Sequence, residues 1–169
     1  VYSQVTQRFD SVTPDMEDPK ELKKFLELIR SLSAKGAILA YHDRSDGGLA
    51  AALCEMMFAS HVGVEIVADA LVSKDRTLNQ ALFNEELGAV IQVARGRAAE
   101  VERDFEAAGM GWSLKYLGNL TQDDHLNIYL EGKCVLSEDR VDLQKAWNEV
   151  SWQIARMRDN PECADSEYA

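Results

Sequence analysis

The sequence predicts an α/β (α+β) sandwich: a mixed sheet of about five or six strands, with four or five helices packed on it. Three observations carry that expectation. Short apolar or alternating runs of strand length recur between stretches whose apolar residues follow helical spacing. Glycines and polar clusters punctuate most changes of period. The 169 residues, 46% of them hydrophobic and 28% charged, suit one ordinary domain with a real core. No internal repeat interrupts the alternation.

The elements follow in order. The first fifteen residues are polar, with a short apolar rhythm (Val1, Val5, Phe9) that suits helix or loop. Asp18, Pro19 and Glu21 have the spacing of an N-cap, first helical position and capping box. Leu22, Phe25, Leu26, Ile29 and Leu32 then form an apolar stripe, and Gly36 stops the helix. Residues 37–41 read as a short buried strand. Residues 49–60 form a helix apolar on nearly every face, interrupted by Glu55, which predicts burial on more than one side. Residues 62–68 alternate as a half-buried strand, and 77–83 form a short helix. The run 87–94 is apolar enough to be central in the sheet. A helix over 97–108 buries Val101 and Phe105, and strands follow at 112–118 and 125–130. Glu131-Gly132-Lys133 turns the chain into a short strand at 134–136, making a hairpin. A long helix over 139–158 carries Leu143, Trp147, Val150, Ile154 and Met157 on one face. Asn160-Pro161 ends it, and the acidic tail reads as a linker or disordered end.

Charge and cysteine usage narrow the function classes. The net charge of −11, with no extended Lys/Arg cluster, argues against a nucleic-acid groove or an anionic membrane surface as partner. Three cysteines without ligand spacing fit reduced thiols and a cytoplasmic location, with Cys54 a small residue on an apolar helix face. A first residue other than methionine, in a stretch that looks mid-domain, suggests a piece of a longer chain.

The chemistry concentrates in Tyr41-His42-Asp43-Arg44-Ser45-Asp46-Gly47-Gly48-Leu49. A strand delivers this loop, the glycines permit close backbone approach, and the following helix offers unpaired N–H groups. Two carboxylates repel a bare phosphate but suit a divalent cation between protein and phosphate. Asp43, just past the strand end, is the candidate magnesium ligand. Ser45 and the N–H groups of Gly47 and Gly48 are candidate nucleotide contacts. The alternative is that Ser45 or Asp46 only caps the helix and the glycines only make the turn. Arg44 is a phosphate contact or a local ion pair. Asn84-Glu85-Glu86 offers ligands or a base, or else a helix cap or solvent-facing pair. His42 adjoins the loop, whereas His61 and His125 read as surface or edge residues. At most this is half of an active site.

Three stretches carry a resemblance. They are Ala40 to Leu49; Leu82-Phe83-Asn84-Glu85-Glu86-Leu87-Gly88-Ala89-Val90-Ile91; and Arg158-Asp159-Asn160-Pro161-Glu162-Cys163-Ala164-Asp165. In this order they resemble the phosphoribosylformylglycinamidine synthase family in its large, single-chain form. The region is similar to the second of two C-terminal-type domains, the kind shared with aminoimidazole ribonucleotide synthetase. That resemblance implies a synthetase domain over 1–158, and the start of a linker over 159–169 leading to a glutaminase domain.

The resemblance also implies a reaction. The complete enzyme of this family uses ATP and glutamine-derived ammonia to convert formylglycinamide ribonucleotide to formylglycinamidine ribonucleotide. ADP, phosphate and glutamate are released. It implies magnesium on Asp43 and nucleotide (ATP/ADP) on Ser45, with the remaining ligands supplied by other synthetase domains of the same parent chain. No catalytic residue carries over, and the fragment alone is expected to be inactive. A competing expectation is a structural module that only braces its pseudo-symmetric partner. A related ATP-using synthetase is a third, against which the Asn-Glu-Glu-Leu-Gly stretch and the 159–163 tail argue.

Overall fold

Tyr2–Thr6 forms a one-turn helix, α1, at the start of a computed structural model that describes residues 1–7, 14–16 and 18–168. Phe9 of the expected apolar rhythm lies outside the described residues. The chain divides into two compact units, Val1–Leu53 with Ala70–Leu117, and Cys54–Asp69 with Gly118–Ala169.

In the first unit, helix α2 (Pro19–Ala34) begins where Asp18 accepts the Lys20 N–H at 2.9 Å, with Pro19 in the first helical position. Its buried stripe is Phe25, Leu28, Ile29 and Leu32, so Leu28 replaces the expected Leu26, which is exposed. Spacings of three and four select that face once one neighbour is fixed. Strand β1 (Ile38–Asp43) starts one residue later and runs two further than expected. It alternates in burial, so only Ala37 before it is fully buried.

Helix α3 (Gly48–Ser60) has no exposed residue before Ala59, as its all-apolar composition requires. The boundary between the units falls inside it. Burial pushes the Cys54 thiol up to about 11, with the Glu55 charge adding to it, which fits a core residue.

Strand β2 (Gly63–Val67) belongs to the second unit. Back in the first, helix α4 (Leu78–Phe83) opens with a reciprocal capping box between Thr77 and Gln80. Strand β3 (Ala89–Val93) pairs antiparallel with β1, placing Tyr41 opposite Ile91 and Asp43 opposite Ala89. Among the described residues β1 is its sole strand partner, so the expected central position does not hold. Its apolar residues pack on helices instead. Ile91 and Val93 lie against a core of Leu28, Leu32, Ala37, Val101, Phe105 and Met110, part of it supplied by helix α5 (Ala98–Ala107).

Residues 112–118, expected as a strand, form a 3₁₀ turn at Gly111–Ser113 and an irregular run with Trp112 and Tyr116 exposed. Strand β4 (Gly118–Thr121) follows in the second unit. A Cβ on Gly118 would run into the Glu65 carbonyl, so close pairing with β2 starts at this glycine. Strands β5 (His125–Leu130) and β6 (Lys133–Asp139) form the expected hairpin through Glu131 and Gly132, both at positive φ. The sheet order is β4-β2-β5-β6, with β2 and β5 parallel. Val64 sits opposite Leu126 and Ile66 opposite Ile128, which lines one face with four buried aliphatics. The six strands among the described residues therefore divide into a two-stranded ladder and a four-stranded mixed sheet.

Asp139 accepts the N–H groups of Val141 and Asp142, opening helix α6 (Arg140–Arg158). The tail, expected to be irregular, forms helix α7 (Pro161–Tyr168). Trp152 stacks on Tyr168 with centroids 4.2 Å apart, and Asp165 accepts from Trp152 Nε1 and pairs with Arg156 at 2.7 Å. Those contacts with α6 give eight residues a partner that their own sequence does not advertise.

Candidate functional site

The loop between β1 and α3 is built by two backbone choices. Gly47 and Gly48 sit at φ +81° and +67°, a region that costs other residues about 1–2 kcal/mol. At Gly48 space is also short. A Cβ there would lie 2.7 Å from the Asn84 carbonyl oxygen and 2.8 Å from that of Leu82. The start of α3 therefore rests directly on the backbone at the end of α4.

The antiparallel pairing of β1 with β3 brings the two polar stretches of the sequence side by side. Past the Asp43–Ala89 pair, the Arg44 N–H donates to the Gly88 carbonyl at 2.8 Å. The Arg44 side chain turns onto the same segment, with Nε donating to the Glu86 carbonyl at 2.6 Å and Nη2 to that of Leu87 at 3.1 Å. Arg44 is thus bound to backbone carbonyls, and not in a local ion pair with a carboxylate. Burial is the first cause holding its guanidinium below the usual value, with the Arg76 charge second.

Glu85 closes the arrangement. Its Oε1 accepts the Gly47 N–H at 3.1 Å. The Gly47 bond is the first cause holding this carboxyl below the usual glutamate range. Asn84 accepts the Glu86 N–H at 2.7 Å, and the Gly48 N–H returns to the Ser45 carbonyl at 2.9 Å. Both glycine N–H groups expected to meet a phosphate are satisfied within the protein.

Asp43, Ser45 and Asp46 are exposed. Among the described residues their side chains make no hydrogen bond or ion pair, so neither Ser45 nor Asp46 caps α3 with its side chain. His42 Nδ1 donates to the Asp43 carbonyl at 2.7 Å. His61 and His125 belong to the other unit, where His125 Nδ1 donates to the Asp123 carbonyl at 2.6 Å.

Asp43 is a hard oxygen donor, the type magnesium takes. Among the described residues no three His, Cys, Asp or Glu side chains are grouped to hold a metal ion. Asp43 is therefore a fitting ligand in kind, but it is a single one. Glu85 and Arg44 were not recognised from sequence as the ties between the two motifs. The available signal was that each polar stretch abuts a strand. If those strands are antiparallel neighbours, the end of one must meet the start of the other.

Comparison with known proteins agrees with this architecture. Residues 1–131 match the family model described as AIR synthase related protein, C-terminal domain. PurL from Thermotoga maritima complexed with FGAR superposes with a TM-score of 0.66 at 16% identity, over 76% of this chain and 21% of that one. The same protein complexed with ATP gives 0.64 at 16% identity, over 75% and 22%. A chain of a HypE–HypF complex gives 0.60 at 20% identity, over 82% and 46%. The chain thus spans about a fifth of the length of the PurL chains it matches.

Proposed function

The chain belongs to the family of AIR synthase related proteins, C-terminal domain, and on that premise we propose that it is one domain of an ATP-dependent amidoligase of the phosphoribosylformylglycinamidine synthase type. Its own contribution is a magnesium–nucleotide half-site. The observation that carries the reading is the exposed, uncommitted pair Asp43 and Ser45 on a loop braced on both sides. PurL, the similar protein of known structure, has been seen with FGAR and with ATP.

In this reading the Asp43 carboxylate holds magnesium, and the Ser45 hydroxyl donates to an oxygen of the nucleotide. Magnesium held by Asp43 would offset the repulsion between that carboxylate and a phosphate group. Gly47 and Gly48 let the backbone come close to the nucleotide without themselves supplying free N–H groups. Further ligands come from the remaining synthetase domains of the parent chain, and ammonia from a glutaminase domain beyond residues 159–169. The setting is the cytoplasm, where purine biosynthesis takes place. No helix among the described residues is long and apolar enough to cross a membrane.

A second reading has its own support. Both glycine N–H groups are internally satisfied, and no three-ligand metal cluster is present among the described residues, as in a module that only braces a partner domain. Calorimetric titration of ADP with magnesium into the wild-type chain and Asp43→Ala separates the two. The half-site reading expects binding weakened at least about tenfold by the substitution. Equal affinity in both proteins overturns it in favour of bracing, and no binding in either means that the site forms only where two domains meet.

A further inference from the structure

The loop is held at both ends, and among the described residues one side-chain contact reaches its middle. At its start, the Arg44 N–H continues the β1–β3 ladder to Gly88 at 2.8 Å, and the Arg44 side chain grips the carbonyls of Glu86 and Leu87. At its far end, Gly48 lies so close to the backbone of Leu82, Phe83 and Asn84 that a methyl group would collide with it. Between those anchors lie Ser45, Asp46 and Gly47. Ser45 and Asp46 are exposed and have no side-chain hydrogen bond to another described residue. The turn closes on itself through Gly48 N–H to Ser45 O, which shapes it but does not aim it. The side-chain contact that ties this middle stretch to the rest of the unit is Gly47 N–H to Glu85 Oε1, at 3.1 Å.

We propose that Glu85 is the positioning residue of this loop, holding Gly47 so that Ser45 and Asp43 present their oxygens to one ligand. The inference rests on the half-site reading of Asp43 and Ser45. Two physical effects support it. The N–H groups at the start of a helix lack intrahelical acceptors, so a side-chain oxygen reaching Gly47 satisfies a donor that the helix leaves open. The occupant is also built in. Because Glu85 fills the position where a phosphate oxygen would otherwise compete, the Gly47 N–H does not draw the ligand away from Asp43 and Ser45. Glu85 acts through Gly47 and does not itself touch the ligand.

The test uses the whole chain and four variants: Asp43→Ala, Glu85→Ala, Glu85→Gln and Glu85→Asp. Gln keeps an acceptor oxygen at the same reach without the charge. Asp keeps the charge but falls short, and stands in for Glu85→Ala if that variant does not fold. Amide hydrogen exchange at Gly47 reads the contact directly, and calorimetry with magnesium and ADP reads the site.

Expected are exchange at Gly47 at least about tenfold faster in Glu85→Ala and Glu85→Asp, and affinity about tenfold weaker in both. In Glu85→Gln both readouts should return to within about threefold of wild type. Unchanged Gly47 exchange in Glu85→Ala overturns the proposal whatever the ligand does. Faster exchange with unchanged affinity, where Asp43→Ala loses binding, overturns the role of Glu85 alone. Affinity that Gln fails to restore points to the charge rather than to position, and also overturns it. Absence of binding in the wild-type chain means that this chain alone forms no site, and it overturns the site role of Glu85 within it.

Discussion

Arg140 shows how a single residue makes this fold sensitive to acid. Its side chain is buried, with Nε donating to Asp124 Oδ1 at 2.6 Å, Nη2 to Oδ2 at 2.9 Å and Nη1 to Gln144 at 2.9 Å. Its own N–H donates to the Asp124 carbonyl, so two stretches of chain are tied at one point. The bidentate bond from Arg140 holds the Asp124 carboxyl below its usual range. The resulting stability is present above the unfolded carboxylate pKa of about 3.9, and it is lost as pH falls through the lower folded value. Nearby, His125 has the opposite sign. Its Nδ1–H bond to the Asp123 carbonyl, then the charges of Asp139, Asp123 and Asp124, raise its pKa. The stability it contributes is complete below about pH 6.5 and lost as pH rises through the folded value. We predict that Asp124→Asn lowers the urea midpoint at pH 7, and that its difference from wild type shrinks steadily between about pH 5 and pH 2. A difference independent of pH would separate the stabilisation from the Asp124 charge.

At the level of elements, the contact that matters most to the site is the seat of α3 on the end of α4. Gly48 combines a positive φ with backbone closer than a Cβ tolerates, and that backbone cannot move aside as a side-chain tip can. The strain of the left-handed region and the overpacking add. Gly48→Ala should therefore destabilise the chain by about 2–4 kcal/mol, read from chemical denaturation. A loss under about 0.5 kcal/mol would mean that the α4 terminus yields freely. The exposed stripe on α6 is the converse case. Trp147 is 59% exposed and Met157 81%, although the spacing of Trp147, Val150, Ile154 and Met157 gives one apolar face. Periodicity reports that a face exists, and its partner is a separate matter.

For the molecule as a whole, what counts is how small a part of its structural relatives it spans. It spans about a fifth of the PurL chains it matches, and its candidate ligand Asp43 stands without two companions among the described residues. We predict no turnover by the chain alone. With ATP, magnesium, ammonia and formylglycinamide ribonucleotide, release of ADP should stay at the level of the protein-free blank. Release that depends on formylglycinamide ribonucleotide, and that Asp43→Ala abolishes, would show that the chain is catalytically complete.

By itself the sequence determined the elements whose signals are local. Asp18-Pro19 and Asp139 begin their helices because a side-chain oxygen reaches N–H groups two or three residues on. Glu131-Gly132 makes a hairpin because both residues adopt positive φ. The loop at 41–49 was legible as the candidate site, since strand, carboxylates, paired glycines and helix are consecutive. The tertiary structure alone decided what depends on partners distant in sequence. An apolar run such as 87–94 looks the same whether strands flank it on both sides or helices cover it, so the place of β3 was not written locally. Nor was the meeting of the two motifs. Asp43 faces Ala89 only because β1 and β3 run antiparallel in that register, and this register carries Glu85 to Gly47 and Arg44 to the carbonyls of Glu86 and Leu87.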